Sequence, residues 1–303
     1  MNKKAVAIIA GAAVALVAVV VTLIVVFSKG DSYRLLKLFE FEGTGIVTRS
    51  SKGDITPYTN MVLQSGDTIS LDTGTMTIQA DDDKFIYLDE HTTIKLTATG
   101  NSENSKTSIE LIKGGITSDI RNKLSAESTY EINTPNSSMT VRGTYFHTIE
   151  YEIDGIKYTK IVCFNGAVAS NIVYEDGTKS PDPVVVPEGT EIIIYDDGTK
   201  RDYLINTPQP IDYSKLERNV LLKLKEISET TDVELSITDE ELDRLLNGPY
   251  YITFTYKGME FGTQTVDRGG LVQVPFLNPS DKGGWDYIFT TPVEHDTTIE
   301  WKE

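Results

Sequence analysis

An uncharged apolar run from Ala5 to Phe27 constrains this chain more than any other feature of its 303 residues. At about 1.5 Å per residue, a helix of this length spans roughly 34 Å, which is enough to cross a bilayer. A cleaved signal peptide has a shorter apolar region followed by a small-residue site, and Phe27-Ser28-Lys29 lacks that site. We therefore expect residues 1–30 to form a short cytoplasmic stub and an uncleaved transmembrane anchor.

The flanking charges alone do not orient this anchor. Lys3 and Lys4 precede the apolar run, and Lys29, Arg34 and Lys37 follow it, so the positive-inside count is close to a tie. Long domains are translocated largely regardless of charge. We expect a single-pass protein of the cell membrane, with a cytoplasmic N-terminus and an extracytoplasmic body.

The charge balance excludes one class of partner. The chain has 28 Lys and Arg against 45 Asp and Glu, a formal net charge of -17. A nucleic-acid binder needs a basic face to neutralise phosphates, and no such cluster is present, so we expect no nucleic-acid partner. Hydrophobic residues make up 39% of the chain, enough for a packed core.

Residues 31–205 alternate between apolar and polar positions, which is typical of β-strands. The clearest runs are 68–71, 76–78, 85–88, 93–96 and 109–112. Three Asp-Gly pairs predict type I′ hairpins: Asp154-Gly155, Asp176-Gly177 and Asp197-Gly198. Only the stretch 120–127 has a weak helical pattern. We expect one mainly β domain here.

Several short motifs punctuate this β region. An L-x-x-G-D-x-I element spans 63–69, a T-P pair stands at 134–135, a V-R-G-T-x-F element spans 141–146, and N-G-A-V follows at 165–168. In this order and spacing, residues 43–170 resemble the FecR domain of bacterial extracytoplasmic proteins, with the hairpins up to residue 205 as an extension. The resemblance implies a roll-like or solenoid-like β domain that binds or signals and has no known catalysis.

The motif residues have structural interpretations. They are Gly66, Asp67, Thr134, Pro135, Arg142, Gly143, Thr144 and Phe146. Gly66 and Gly143 are expected where a Cβ would clash, and Asp67 where a turn needs its amides capped. For Arg142 we favour a partly buried ion pair or carbonyl clamp, with a partner-facing or ligand-facing side chain as the alternative.

One branch of the family differs from this sequence. The resemblance to iron-uptake regulators would imply a cytoplasmic segment that contacts a sigma factor, whereas Met1 to Lys4 alone precede the apolar run. If this chain signals, we expect it to act through the anchor helix and a second membrane protein.

Residues 206–249 are expected to form a linker and a helical spacer. Ser214 and Glu217 have capping-box spacing at the start of a helix predicted over 213–229. Thr238 and Glu241 repeat that spacing before a shorter helix, which Gly248-Pro249 closes. Their leucine stripes predict packing faces against a neighbouring domain.

Residues 250–303 return to a β pattern, with runs at 251–256, 263–266, 272–275, 289–293 and 296–301. They resemble the Listeria–Bacteroides repeat module of internalin-type bacterial surface proteins. The resemblance implies a small β-grasp-like unit that serves as a spacer or adhesion module. We expect Trp285 and Trp301 to lie in its core.

No catalytic constellation is apparent in the sequence. His91, His147 and His295 are far apart and lack metal-ligand spacing, and Cys163 lies in an apolar run typical of a buried thiol. Asp81-Asp82-Asp83 predicts a solvated hairpin tip rather than a calcium loop. We therefore expect no catalytic residue, no cofactor, no metal site and no enzyme activity.

Two functions remain open from the sequence. The favoured one is a membrane-anchored, non-catalytic scaffold of the bacterial envelope that binds an envelope protein or a cell-wall polymer. The alternative is a FecR-type signal relay or regulator that acts through a membrane partner. An envelope hydrolase is the least favoured.

Overall fold

The computed structural model describes residues 34–101, 103–196, 203–205 and 207–303. No helix within these ranges is long and apolar enough to cross a bilayer. The expected anchor from Ala5 to Phe27 and the expected turn at Asp197-Gly198 lie outside the described residues.

The described residues are mainly β, as the alternating pattern predicts. The strands in chain order are β1 (Leu36–Arg49), β2 (Gly53–Ile55), β3 (Met61–Val62), β4 (Thr68–Ala80), β5 (Lys84–Leu88), β6 (Thr93–Thr99), β7 (Lys106–Ile120), β8 (Thr129–Asn133), β9 (Ser137–Val141), β10 (Tyr145–Ile153), β11 (Ile156–Asn165), β12 (Ala167–Ile172), β13 (Val184–Pro187), β14 (Thr190–Asp196), β15 (Tyr203–Ile205), β16 (Gln209–Pro210), β17 (Tyr250–Tyr256), β18 (Met259–Val266), β19 (Gly284–Trp285) and β20 (Thr297–Lys302).

Strands β1 to β16 form one sheet that folds back on itself. Strand β4 pairs with β5 along one half and with β6 along the other, and β7 does the same. Strand β7 pairs with β8 in parallel, whereas the other described ladders of this sheet are antiparallel. The curled sheet encloses one apolar core, which we call the body core.

Strict alternation along the strands fills the body core. In β6, Ile94, Leu96 and Ala98 point inward while their neighbours are partly or fully exposed. Fully burying a side chain such as Ile94 stabilises the fold by roughly 1.5–3 kcal/mol. The stretch 120–127 is not helical, since β7 ends at Ile120 and irregular backbone follows.

Asp-Gly pairs make two different turns in this sheet. Asp154 and Gly155 have φ angles of 53° and 81° between β10 and β11, which confirms the predicted type I′ turn. At the second pair, Gly177 has a φ of 80° but Asp176 does not have a positive φ. The prediction of a type I′ turn is therefore wrong at Asp176-Gly177, where the amide of Gly177 instead bonds the carbonyl of Tyr174.

Two helices pack on the outer face of the sheet. A 3-10 turn (Tyr213–Lys215) precedes α1 (Arg218–Thr230), and α2 is Asp239–Asn247. Their apolar faces meet sheet residues in a second core, which confirms that the leucine stripes are packing faces. Its buried members are Tyr145, Val162, Phe164, Ile211, Leu216, Val220, Leu221, Leu224, Ile227, Leu242, Leu245 and Leu246.

The two predicted helix caps have different outcomes. Thr238 accepts a hydrogen bond from the amide of Glu241 at 3.2 Å, and Gly248 ends α2 with a φ of 82°, as predicted. The predicted capping box at Ser214 and Glu217 is wrong, because α1 starts four residues later than Ser214. Leu216 instead adopts an extended conformation and is buried in the second core.

The C-terminal residues form a separate four-stranded sheet with the order β18-β17-β20-β19. Trp301 is buried, and Trp285 packs edge-on against it with ring centroids 5.1 Å apart. The expected strands at 272–275 and 289–293 do not form; Leu271 and Pro292 make an isolated bridge there. A bidentate ion pair between Arg244 of α2 and Asp296 joins this sheet to the helices.

A buried ion pair fixes the motif residue Asp67. The guanidinium of Arg49 at the end of β1 donates to both carboxylate oxygens of Asp67, at 2.9 and 2.7 Å. The same carboxylate accepts the amide of Gln64 at 2.8 Å, so the predicted capping role is confirmed. Asp67 is 1% exposed and Arg49 is 8% exposed. These hydrogen bonds raise the pKa of Arg49 above its ordinary value.

Replacing Asp67→Ala should lower the free energy of unfolding of a fragment of residues 31–303 by about 3–5 kcal/mol, because Arg49 would stay buried without its partner. Urea denaturation followed by circular dichroism measures the change. The exposed pair of Lys215 and Asp212 is the control, and Lys215→Ala should change stability by less than about 1 kcal/mol. Equal effects of the two variants would contradict the structural role of Asp67.

Candidate functional site

The structure separates the motif residues into three places. Asp67 lies in the turn before β4, and Thr134 and Pro135 form the turn between β8 and β9. Thr134 is buried and bonded to the hydroxyl of Thr159 at 2.7 Å, whereas Pro135 is exposed. The third place is the V-R-G-T-x-F element, where Phe146 points into the body core.

The two motif glycines do not share one explanation. A Cβ on Gly66 would meet open space, so the predicted clash is wrong there; the position needs glycine because its φ is 95°. Gly143 has a φ of 126°, and a Cβ there would lie 3.1 Å from the Cα of Lys123. The clash is therefore confirmed at Gly143 alone.

Arg142 does not lie in the environment that sequence analysis favoured. Its side chain is exposed, and its guanidinium makes no ion pair or hydrogen bond with the described residues. The prediction of a partly buried ion pair is therefore wrong. Arg142 follows the last residue of β9, and its neighbours Val141 and Thr144 are buried while its own side chain faces solvent. A buried arginine–carboxylate pair is made instead by Arg49 and Asp67.

A groove lies beside Arg142, and we call it the motif groove. It has a volume of about 810 Å³ and runs between the sheet and the loop that follows α1. Its lining residues are Asp119, Ile120, Arg121, Lys123, Arg142, Gly143, Thr144, Tyr145, Asn165, Gly166, Ala167, Thr231, Asp232 and Val233. The volume is within the range of protein ligand sites.

Two sequence motifs meet at this groove. The hydroxyl of Thr144 donates to the carbonyl of Ala167 at 3.1 Å. A Cβ on Gly166 would lie 2.9 Å from the carbonyl oxygen of Gly143, so the two motifs approach each other through glycine. The V-R-G-T-x-F and N-G-A-V elements are therefore parts of one surface, although about twenty residues separate them.

Basic side chains dominate the exposed wall of the groove. Arg121 is bonded to the buried carboxylate of Asp119 at 2.9 Å, and burial raises the pKa of Asp119 while Arg121 opposes that rise. Lys123 and Arg142 are exposed and make no ion pair with the described residues. Asp232 stands on the opposite wall. In a chain of net charge -17, this surface suits an anionic partner.

A second group of interest lies under the start of α1, and we call it the polar cluster. The imidazole Nδ1 of His147 is 2.9 Å from the hydroxyl of Thr117, and its Nε2 is 3.5 Å from Oδ2 of Asp89. The side-chain amide of Asn219 in α1 donates to Oδ1 of Asp89 at 2.9 Å. A Cβ on Gly115 would lie 2.1 Å from Oδ2 of Asp89, so glycine there makes room for the cluster.

Burial shifts the two ionisable groups of the cluster in opposite directions. It raises the pKa of Asp89 to about 7, against which the Asn219 hydrogen bond acts. It lowers the pKa of His147 to about 4, with Glu217 opposing and Lys160 reinforcing that change. Burial also raises the pKa of Glu217, which faces the cluster from the start of α1.

The polar cluster is a buried contact between the sheet and α1. Its hydroxyl, imidazole and carboxylate lie in the same order as in a catalytic triad, with Thr117 beside His147 and His147 beside Asp89. However, Thr117 is 1% exposed and His147 has no exposed surface, although Asp89 and Thr117 are among the residues that line a cavity of about 550 Å³ between the sheet and the start of α1. Sequence reasoning missed this group because cross-strand register brings its members together; the Gly114-Gly115 pair was its only local signal.

No group of three or more metal-ligating side chains is placed to hold a metal among the residues that the structure describes. Asp81 and Asp83 do form a hairpin tip, but they are paired with Lys84 rather than merely solvated. Cys163 is buried, and burial raises the pKa of its thiol to about 12, which suits a structural residue.

The polar cluster should have compensating effects on stability between about pH 4 and pH 6.5. In the folded protein Asp89 stays protonated up to about pH 7, whereas in the unfolded chain it loses its proton above its ordinary pKa of 3.8. The contribution of Asp89 to the free energy of unfolding therefore falls as the pH rises towards 7. Folded His147 stays neutral while the unfolded chain binds a proton below pH 6.5, so its contribution falls as the pH falls towards 4.

Single variants should reveal each half of this compensation. Relative to wild type, Asp89→Asn should make stability rise with pH between 4.5 and 6.5, and His147→Gln should make it fall, each by about 1 kcal/mol per pH unit. Urea unfolding of residues 31–303 across this range measures both slopes. Parallel curves for wild type and both variants would contradict the opposite shifts.

Exposure predicts that Arg142 can be replaced without loss of stability. Arg142→Ala should change the free energy of unfolding by less than about 0.5 kcal/mol, whereas Phe146→Ala, four residues later in the body core, should cost about 3–5 kcal/mol. Thermal or urea unfolding of residues 31–303 measures both. A large loss for Arg142→Ala would restore the buried interpretation.

Comparisons with known proteins agree with the motif assignment. Residues 67–169 match the family model described as FecR protein, which lies within the range predicted from the motifs. No curated protein sequence matches the chain. The resemblance of residues 250–303 to the Listeria–Bacteroides repeat is not tested by these comparisons and stays a prediction.

Two solved structures are similar to parts of this chain. Both are described as a candidate anti-sigma factor from Parabacteroides distasonis ATCC 8503, and both are 14% identical to this chain with a TM-score of 0.38. One match covers 62% of this chain and 77% of the other, and the second covers 65% and 84%. Together with the ordered motifs, the family match means that this chain carries a FecR domain over residues 67–169.

Proposed function

We propose that this protein is a FecR-type signal relay of the bacterial envelope, whose body binds a partner protein through the motif groove. In this proposal the run from Ala5 to Phe27 anchors the chain in the cell membrane, and the body lies outside the cytoplasm. The observation that carries the proposal is that two motifs of the FecR domain converge on one groove with unpaired, exposed cations.

The geometry favours binding over catalysis. The groove has basic side chains on its exposed wall, whereas the hydroxyl of Thr117 in the polar cluster is buried. Arg142 in particular makes no ion pair or side-chain hydrogen bond within the part of the chain that the structure describes, which supports a role in contacting an external partner. Proteins of regulatory families work through such contacts, which need no cofactor or metal.

Helix α1 offers a route for a signal. Its N-terminal end is held at the polar cluster by Asn219, and the loop after its C-terminal end, Thr231 to Val233, forms a wall of the groove. A partner that fills the groove would contact this loop. The binding free energy would then bias how firmly α1 docks on the sheet.

A tethered scaffold, which sequence analysis preferred, is the second candidate. The observation in its favour is a row of exposed apolar side chains in the C-terminal sheet domain, where Val274, Phe276 and Leu277 are 59%, 100% and 66% exposed. An envelope protein or a wall polymer would be the partner there. The FecR match lies in the other domain and supports the relay.

Photo-crosslinking in cells tests the relay. We expect p-benzoyl-phenylalanine at Ala167, which is exposed in the groove, to give one discrete protein adduct that Arg142→Glu abolishes. The matched probe at Thr97, exposed on β6, should give none. Mass spectrometry identifies the adduct.

A transcript readout separates the relay from the scaffold. If the protein relays a signal, Arg142→Glu should reproduce the transcript changes caused by deleting the gene, as RNA sequencing would show. An adduct without any transcript change would favour the scaffold. The same adduct from both probe positions would rule out the groove as the binding surface.

A further inference from the structure

The first described residue, Arg34, is held firmly at one pole of the body. Its guanidinium donates to both carboxylate oxygens of Asp81, at 3.1 and 2.7 Å, and to the hydroxyl of Thr107 at 2.7 Å. It also donates to the carbonyl of Lys106 at 2.6 Å. Its side chain is 4% exposed, so the start of the body is a fixed point.

A continuous set of contacts joins this point to the motif groove. Lys84 bonds both Asp81 and Asp83 at the β4–β5 hairpin tip, at 3.3 and 2.6 Å. The carbonyl of Asp83 accepts the amide of Arg121 at 3.0 Å, and its carboxylate accepts the side chain of Asn122 at 3.1 Å. Arg121 lines the groove, so the groove and the start of the body share one pole.

This placement puts the groove near the membrane if the proposed anchor is correct. Seven residue steps separate Phe27 from Arg34, and an extended chain of that length reaches at most about 25 Å. The pole that carries Arg34 therefore cannot be far from the bilayer surface. We therefore expect a partner of the groove to be anchored in the same membrane.

The charges of the groove indicate the chemistry of its occupant. Five charged residues line it: Arg121, Lys123 and Arg142 are cationic, and Asp119 and Asp232 are anionic. Among these five lining residues Asp119 is neutralised by Arg121, which leaves Lys123 and Arg142 against Asp232; beside the lining, the carboxylate of Glu188 accepts the amide of Gly166 at 3.1 Å. The positive balance of the lining is the reverse of the chain as a whole, which carries -17.

Resting on the proposed function, we infer that the motif groove binds an acidic, extended segment of a second membrane protein, in the stretch just outside the bilayer. Gly143 and Gly166 let the two motifs approach each other closely at the groove, since a Cβ on Gly166 would lie 2.9 Å from the carbonyl oxygen of Gly143. Carboxylates of the segment pair with Lys123 and Arg142. The open groove suits a peptide rather than an enclosed small molecule.

The test uses the full chain in nanodiscs of phosphatidylcholine and a fluorescent peptide of alternating Asp and Ser. Fluorescence anisotropy should show saturable binding that weakens at least tenfold with Arg142→Glu or Lys123→Glu. The control Lys95→Glu reverses an exposed cation on β6, outside the groove, and should bind as wild type. A peptide with Asn in place of Asp should not bind.

Other outcomes overturn the inference. Binding that Lys95→Glu weakens equally would show a general charge effect. Contact with nanodiscs of phosphatidylglycerol that depends on Arg142, without any peptide binding, would assign the groove to lipid headgroups. Sedimentation showing dimers that Arg142→Glu dissociates would assign it to a second copy.

The inference and the proposed function fail in different ways. An Ala167 adduct with a soluble protein, together with no binding of the acidic peptide, would keep the relay and overturn the membrane-derived segment. Loss of both the adduct and the transcript response would overturn the relay itself, whatever the peptide does.

Discussion

Strands β10 and β11 are buried on both faces, and the rest of the structure depends on that constraint. Phe146 and Cys163 point into the body core, while Tyr145 and Val162 point into the second core. A strand with apolar side chains on both faces must be covered on both, so the curled sheet alone is insufficient. Helices α1 and α2 cover the outer face, which makes the spacer part of the body's packing.

Covering that outer face also buries polar groups, and the polar cluster is the result. His147 lies on the same face of β10 as Tyr145, so the docking of α1 removes it from water. The hydroxyl of Thr117 on β7 is within hydrogen-bond distance of the His147 ring. The side-chain amide of Asn219 in α1 donates to Asp89, which follows β5. The two shifted groups, Asp89 and His147, respond to pH in opposite directions. The far end of the same helix leads into the wall of the motif groove.

Local patterns predicted well wherever one segment fixes its own geometry. The Asp154-Gly155 turn and the cap at Thr238 depend on residues within a few positions, and both formed as expected. The prediction of a cap at Ser214 was wrong because the burial of Leu216 overrode the local signal. The prediction of a partly buried Arg142 was wrong for a related reason. The alternation of polar and apolar residues does not indicate whether another element covers a side chain at the end of a strand.

The sequence by itself determined the apolar run at the N-terminus, the mainly β character of the body, the two short helices and the FecR motifs. Each of these follows from composition or from a period of a few residues. Only the tertiary structure decided that Arg49 pairs with Asp67, that Asp89 and His147 meet under α1, and that two motifs converge on one groove. The physical reason is that alternation fixes which way a side chain points, whereas the pairing of strands distant in the chain fixes what it meets.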